Sequence, residues 1–301
     1  MAARMRDDDL NPRRLFGLLF AAASDLGYTI LPVGPDEIMV SDNDSMTTLT
    51  LEHIRRRLLF EPADHWPAIV SDHLGTVVAA TAVDRDAPLD VHSFPAMRAL
   101  LRTRVYPAAA AARNLVWREW APGLIQRLLI DKVHTVMPVE RAWTHEWPPD
   151  TELFTLAENN VRADGDVSLA PLPLGDFDAL ATNLPIFRMA GSEYLTTNLR
   201  WLDDYPVVGP AGALFTAPAR QRVYCHPITD LEVLRALLVL ARFGTLVYET
   251  DPWPISPWLY HWHEGRIDLA ATTNHVNNQG EVTPTPVFET FLGTLGRTTD
   301  S

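Results

Sequence analysis

Lysine is almost missing from this chain, cysteine is nearly as rare, and long apolar runs are absent. Each scarcity excludes something. Cys225 is the only cysteine, so no internal disulfide can form and nothing in the sequence demands an oxidising compartment. Lys132 is the only lysine among 25 basic residues, and the simplest cause is a GC-rich genome, which points to a bacterium. Basic charge is short overall: the net charge is −13, the wrong sign for gripping a nucleic-acid backbone or an anionic membrane. The run Arg55, Arg56, Arg57 reads as a solvated helix face. No apolar run reaches the roughly 18 residues that cross a bilayer. The stretch LFGLLFAAAS at 15–24 imitates a signal peptide, but Asp7, Asp8 and Asp9 precede it where basic residues would be needed. A cytoplasmic location is expected.

Familiar catalytic signatures are missing too. There is no GxxxxGK[ST], no GxGxxG after a strand and no GxSxG, so the sequence supports no nucleotide site and no hydrolase elbow. Ser192, after Gly191, reads as a helix cap. The acidic turn DNDS at 42–45 opens like a calcium loop, yet Thr47 and His53 stand where that loop needs glycine and glutamate. Cys225 and His226 are neighbours on an expected strand, where adjacent side chains point to opposite faces, so they cannot act as nucleophile and base. No cofactor is called for.

What the chain does have is pattern. Asn11, Pro12 and Gly27 bracket a first helix. TILPV (29–33) and EIMVS (37–41) predict a hairpin around Gly34 and Pro35, followed by an amphipathic helix carrying Leu51, Ile54 and Leu58. A second helix is expected from Asp64 to Leu74, closed by Gly75. The segment DRDAPLDVHSFP (84–95) is the best boundary, giving an N-terminal unit over 1–85 and a C-terminal unit over 96–290. Helix-like sequence continues to about 103, then LIQRLLI and KVHTVMPV predict paired strands. PPDTELFTLAENNV and SEYLTTNLRWLDD predict helices. ALFTAP (213–218) and RVYCHP (222–227) predict a strand pair, leading to a helix with Thr229 and Glu232 as capping box, Leu231, Leu234, Leu238 and Ala241 lining one face, and Gly244 as its stop.

Two strand–strand–helix segments therefore resemble each other, with Leu51, Glu52, Ile54 and Arg55 matching Leu231, Glu232, Leu234 and Arg235. The expected class is α+β, with mixed or antiparallel sheets and helices packed on one face.

The densest chemistry is DPWPISPWLYHWHEG at 251–265. Pro252, Pro254 and Pro257 forbid a helix interior or a central strand there, so the first half must be an extended connector. A strand follows, with Trp258, Tyr260 and Trp262 on one face and Leu259, His261 and His263 on the other. Each large ring buries roughly 150–250 Å² when covered. The rings either pack under the helix of 230–243 or form a groove for a partner.

Residues TTLTLEHIRRRLL, VYP, LFTLAENNV, GALFTAPARQRVYCHP and PISPWLYHW are together similar to the YtpQ-like bacterial proteins, a domain family of unknown function, over residues 46–265. The resemblance implies a soluble bacterial cytosolic protein of α/β fold and brings no catalytic residues. The leading expectation is a non-enzymatic protein-binding protein of adaptor, chaperone-like or immunity type, with Trp253, Trp258, Tyr260 and Trp262 as anchors. Its partner is another protein or a second copy, not nucleic acid or membrane. The alternative is a metal-dependent hydrolase built on His261, His263 and Glu264, with Asp251 or His226 nearby.

Overall fold

The computed structural model describes residues 10–34, 36–41, 46–86, 88–132, 136–276 and 279–299. The acidic run at 7–9, Pro35 in the expected hairpin turn and the polar turn at 42–45 lie outside the described residues. The class is α+β, built from antiparallel sheets and helices. Contacts divide the chain into two compact units, one from the described residues of Met1–Asp90, Lys132–Val136 and Thr250–Pro252, the other from the rest.

In the first unit, α1 (Pro12–Asp25) starts where Asn11 accepts a hydrogen bond from the Arg14 amide at 3.0 Å. It ends at Gly27, whose φ of +78° suits a residue without a side chain. β1 (Thr29–Gly34) and β2 (Glu37–Ser41) form the expected hairpin, and β3 (Met46–Thr50) completes a three-stranded antiparallel sheet. That third strand is hidden in the sequence, because TTLT runs straight into the next helix pattern. α2 (Glu52–Leu58) and α3 (Trp66–Asp86) follow. Ile30, Ile38 and Val40 on one sheet face meet Leu15, Leu19, Leu51, Ile54, Leu58, Trp66 and Val70 from the helices. α3 continues through Gly75 instead of stopping there, since one glycine in a helix interior costs only about 1 kcal/mol.

The second unit has three layers. Its central sheet has seven antiparallel strands in the order β14–β13–β12–β10–β11–β9–β8, where β8 is Val167–Pro171, β9 Phe187–Gly191, β10 Ala213–Ala219, β11 Arg222–Pro227, β12 Leu259–His263, β13 Arg266–Val276 and β14 Gln279–Pro284. β10 is buried at every position, as a strand covered on both faces must be. One face packs under α6 (Val233–Thr250) and α7 (Pro286–Thr299). The other meets a 3₁₀ segment (Leu195–Asp204) and a smaller sheet of β4 (Leu101–Pro107), β6 (Leu124–Asp131) and β5 (Trp117–Ala121), with β7 (Val136–Pro138) also on β6. Helices thus cover one face of the large sheet, and a second sheet covers the other. α4 (Phe94–Met97) precedes β4, and α5 (Asp150–Asp164) packs on the small sheet.

Three expectations are corrected here. The helix-like pattern does not reach 103: β4 begins at Leu101 because its residues pair with β6 from Leu101 opposite Ile130 to Pro107 opposite Leu124. SEYLTTNLRWLDD is a kinked 3₁₀ segment rather than an α-helix. Its threonines serve the neighbouring strand, with the Thr197 hydroxyl donating to the Thr103 carbonyl at 2.6 Å and the Val105 amide donating to Thr196 at 3.4 Å. The free edge of β4 is thereby occupied by side chains. Finally, α6 passes through Gly244, and the turn that precedes it is closed by Asp230, whose carboxylate accepts from the Glu232 amide at 2.7 Å.

Among the described residues no helix is long and apolar enough to cross a membrane.

Candidate binding site

The proline-rich connector is extended, as three prolines require, and it is stitched to the end of β10. The Ile255 amide donates to the Pro218 carbonyl at 2.8 Å, the Ser256 amide to Ala217 at 3.3 Å and the Arg220 amide to Trp253 at 3.0 Å. This pins Trp253, half-buried, under the Arg220 guanidinium, which lies 4.0 Å from the ring centre.

The aromatic strand face has a different fate. Tyr260 is 0% and Trp262 3% exposed. Tyr260 stacks on Phe215 at 5.5 Å, its hydroxyl donates to the Pro122 carbonyl at 3.2 Å and lies 3.1 Å from that of Ser256. Burial drives its pKa well above the ordinary tyrosine value. Trp258 is half-buried and lies on Gly123 in the β5–β6 turn, where a Cβ would overlap the indole. These rings do not pack under the helix of 230–243. They sit with Val105, Leu124, Leu195 and Leu199 on the opposite face of the sheet, while Leu259 takes the helix side. Tyr260 and Trp262 are core residues and offer no anchor to a partner; Trp253 and Trp258 keep accessible surface.

His261 and His263 share a face, as strand alternation dictates, with ring centres 5.8 Å apart. Nε2 of His261 is engaged by the Ala211 carbonyl at 3.0 Å, and its ring lies 4.3 Å from Phe291. Burial, more than any neighbour, holds its pKa below the usual histidine range. Glu264 is exposed in the following turn with φ +49°. His226 places Nδ1 3.1 Å from the Pro185 carbonyl, and Asp251 groups with the first unit. Among the described residues no group of three or more His, Cys, Asp or Glu could hold a metal ion. Cys225 is fully buried, its sulfur 3.7 Å from that of Met189, and burial raises its thiol pKa far out of the reactive range.

A second constellation is unforeseen in the sequence. The register of β4 on β6 sets Arg104 directly opposite Arg127, and strand alternation puts Tyr106 on the same face as Arg104. Arg104 is only 3% exposed. It donates from Nε to the Glu193 carbonyl at 3.0 Å and from Nη1 to the Tyr106 hydroxyl at 3.1 Å, and pairs through Nη2 with the Glu193 carboxylate. Its guanidinium faces the Tyr194 ring at 5.2 Å. Tyr194 is pushed far above the ordinary tyrosine pKa by burial and then by the carboxylate of Asp131. Arg220 reaches the same Glu193 carboxylate at 3.7 Å.

Arg127 lies over the Tyr106 ring at 4.4 Å and donates from Nη2 to the Ala110 carbonyl. Its Nε is buried with no partner, and among the described residues no carboxylate pairs with it. Burial lowers its pKa; Tyr106 opposes that and Arg104 adds to it. Two like charges directly across a strand pair are destabilising.

The other face of the same sheet makes the contrast clear. There Gln126 donates to Thr103 at 3.0 Å and Glu158 at 3.1 Å, while Arg118 donates to Gln126 at 2.8 Å and pairs with Glu158. That network is closed, whereas the one around Arg127 has spare donors. Only the alternation RTRVY could have hinted at it, and the helix-like letters before it obscured the strand.

The chain matches no protein-family model, no curated protein and no solved structure.

Proposed function

We propose that this chain is a non-enzymatic binding protein for another protein, bacterial and cytoplasmic as its composition suggests, and related to the YtpQ-like family whose motifs it resembles. The contact region of this reading is Trp253 with Arg220, Tyr106, Arg127 and Glu193, the buried Arg104 serving to hold Tyr106 and Glu193 in place. The observation that carries it is the Arg220–Trp253 stack tied through Glu193 to Arg104, which stands opposite Arg127 on the paired strand. Tryptophan, tyrosine and arginine are the residue types that concentrate binding energy at protein interfaces; here Arg104, Tyr106 and Arg127 stand on paired strands, and Arg220 and Trp253 lie in a turn and a connector.

The metal-dependent alternative gains no support from the geometry, because His261 is committed to Ala211 and packed on Phe291, away from any third ligand among the described residues.

The test is affinity capture from a bacterial lysate with the wild-type chain and with Trp253→Ala and Arg220→Ala. The expected result is one reproducible partner held by the wild type and lost by both variants at unchanged melting temperature. Absence of a reproducible partner, or its retention by both variants, overturns the reading.

A further inference from the structure

We infer that Arg127, with Arg104 beside it, receives a single carboxylate presented by an acidic peptide segment, which names the partner chemistry of the reading above and rests on it. Three features of the cluster lead there.

The first is unmet donor capacity. A guanidinium carries five N–H donors in a planar fork. Arg127 spends one nitrogen on the Ala110 carbonyl, while its Nε is buried and unpartnered. A buried donor left unsatisfied costs about 1–3 kcal/mol. A carboxylate meets two parallel N–H groups at once, which a carbonyl cannot do.

The second is charge. Arg104 and Arg220 both reach the Glu193 carboxylate, while Arg127 stands opposite Arg104 across the strand pair. Among the described residues no carboxylate pairs with Arg127, in a chain whose acidic residues outnumber its basic ones 38 to 25. A single guanidinium without a counter-ion matches a monoanionic carboxylate better than a dianionic phosphate.

The third is shape. Tyr106 is covered by Arg127 and its hydroxyl is held by Arg104, so the aromatic platform fixes both guanidiniums before any ligand arrives. Fixed donors spare the ordering cost of binding. The half-buried Trp253 stands at the Arg220 end of the array, offering an apolar contact beside the ionic one. An acidic side chain flanked by an apolar residue fits this pairing.

The experiment is calorimetric titration of the full chain, in low-chloride buffer, with N-acetylglutamate α-amide, whose only carboxylate is that of the side chain. Inorganic phosphate serves as the second arm. The wild type is expected to bind the glutamate probe saturably. Arg127→Gln should weaken it by about 10- to 100-fold, the loss of a charge-assisted hydrogen bond, and Arg127→Lys should also weaken it because the fork is gone. Since Arg127 stands against Arg104, Arg127→Gln should melt no lower than the wild type. No saturable binding, equal binding by Arg127→Gln, or tighter binding of phosphate than of the carboxylate overturns the inference. A melting temperature that falls in Arg127→Gln with probe binding intact does the same and assigns Arg127 a structural role. Partner capture that depends on Trp253 but survives Arg127→Gln sinks this inference alone. Carboxylate binding with no captured protein sinks the wider reading and leaves the anion site standing.

Discussion

The helix after β3 and the helix after β11 begin with nearly the same letters, LEHI and LEVL, yet meet opposite surroundings. Leu51 and Ile54 are 1% and 2% exposed, whereas their counterparts Leu231 and Leu234 are 41% and 45% exposed. The difference lies in where each helix starts. α2 begins at Glu52, straight after its strand, with Leu51 tucked in at the cap. α6 begins at Val233, after a turn organised by Asp230, so Leu231 precedes the helix altogether. From that start the buried stripe runs Val233, Ala236, Leu237, Leu240, Ala241 and Gly244. Small residues on that stripe let the helix lie close to the sheet, and the neighbouring leucines are left outside. An amphipathic pattern tells which residues share a face, but two adjacent apolar stripes compete for the core, and side-chain size decides between them.

The largest expected effect breaks the pair apart. Ile54→Ala should cost about 2–5 kcal/mol, the usual loss for truncating a fully buried aliphatic side chain. Leu234→Ala should stay within about 0.5 kcal/mol. Urea unfolding of both variants measures the difference, and similar losses would show that the exposed stripe is covered in solution.

Next comes the residue that permits the close approach. A Cβ on Gly244 would stand 2.9 Å from Oγ1 of Thr216 on β10. Gly244→Ala should therefore destabilise by about 1–3 kcal/mol, as overpacking does, despite alanine's better helix propensity. Thr216→Ser removes a methyl from that contact and, placed on the Gly244→Ala background, should recover part of the loss in a double-mutant cycle.

Local signals made much of the fold legible. The Asn11 cap, the hairpin of β1 and β2, the pair β10 and β11, and the turn at Gly265 all depend on residues near one another in sequence. β3 and β4 were not legible, because a strand whose letters suit a helix is decided by its cross-strand partners, here Thr47 to Thr50 against β2 and Leu101 to Pro107 against β6. The site divides in the same way. The aromatic alternation from 258 to 262 was readable, and Tyr260 and Trp262 do share a face. Which layer covers that face was not readable, since it depends on a second sheet contributed from residues 101–131. The arginine cluster joins positions 104, 127, 193 and 220; sheet register sets 104 against 127, and long-range ion pairs to Glu193 bring in the rest.

Acid provides a smaller test, directed at the second of the compared regions. His226 and His261 both have pKa values lowered in the fold, chiefly by burial. The unfolded chain thus binds protons more readily than the folded one below about pH 6.5. Stability should fall as pH drops through that value and level off once the folded-state pKa values are passed. The slope is bounded by about 1.4 kcal/mol per pH unit for each group. His261→Gln should flatten part of it, and an unchanged slope between pH 6.5 and 5 would assign the loss to other groups. Asp178 does not enter this window: burial opposes its ionisation, but the Leu180 amide and Arg242 prevail and keep its pKa low, so its contribution is lost only below about pH 4.

The smallest effect returns to glycine and reverses its sign. Gly75 and Gly244 both look like helix stops in the sequence, and both lie inside helices. Gly244 has a reason in Thr216; Gly75 has nothing within 4 Å of where its Cβ would be. Gly75→Ala should therefore stabilise by about 0.4–1 kcal/mol, because alanine narrows the unfolded ensemble without meeting a neighbour. Thermal unfolding of the two alanine variants should move in opposite directions. If Gly75→Ala also lowers the melting temperature, the space beside Gly75 is filled in solution, and that helix face meets something further than the contacts described.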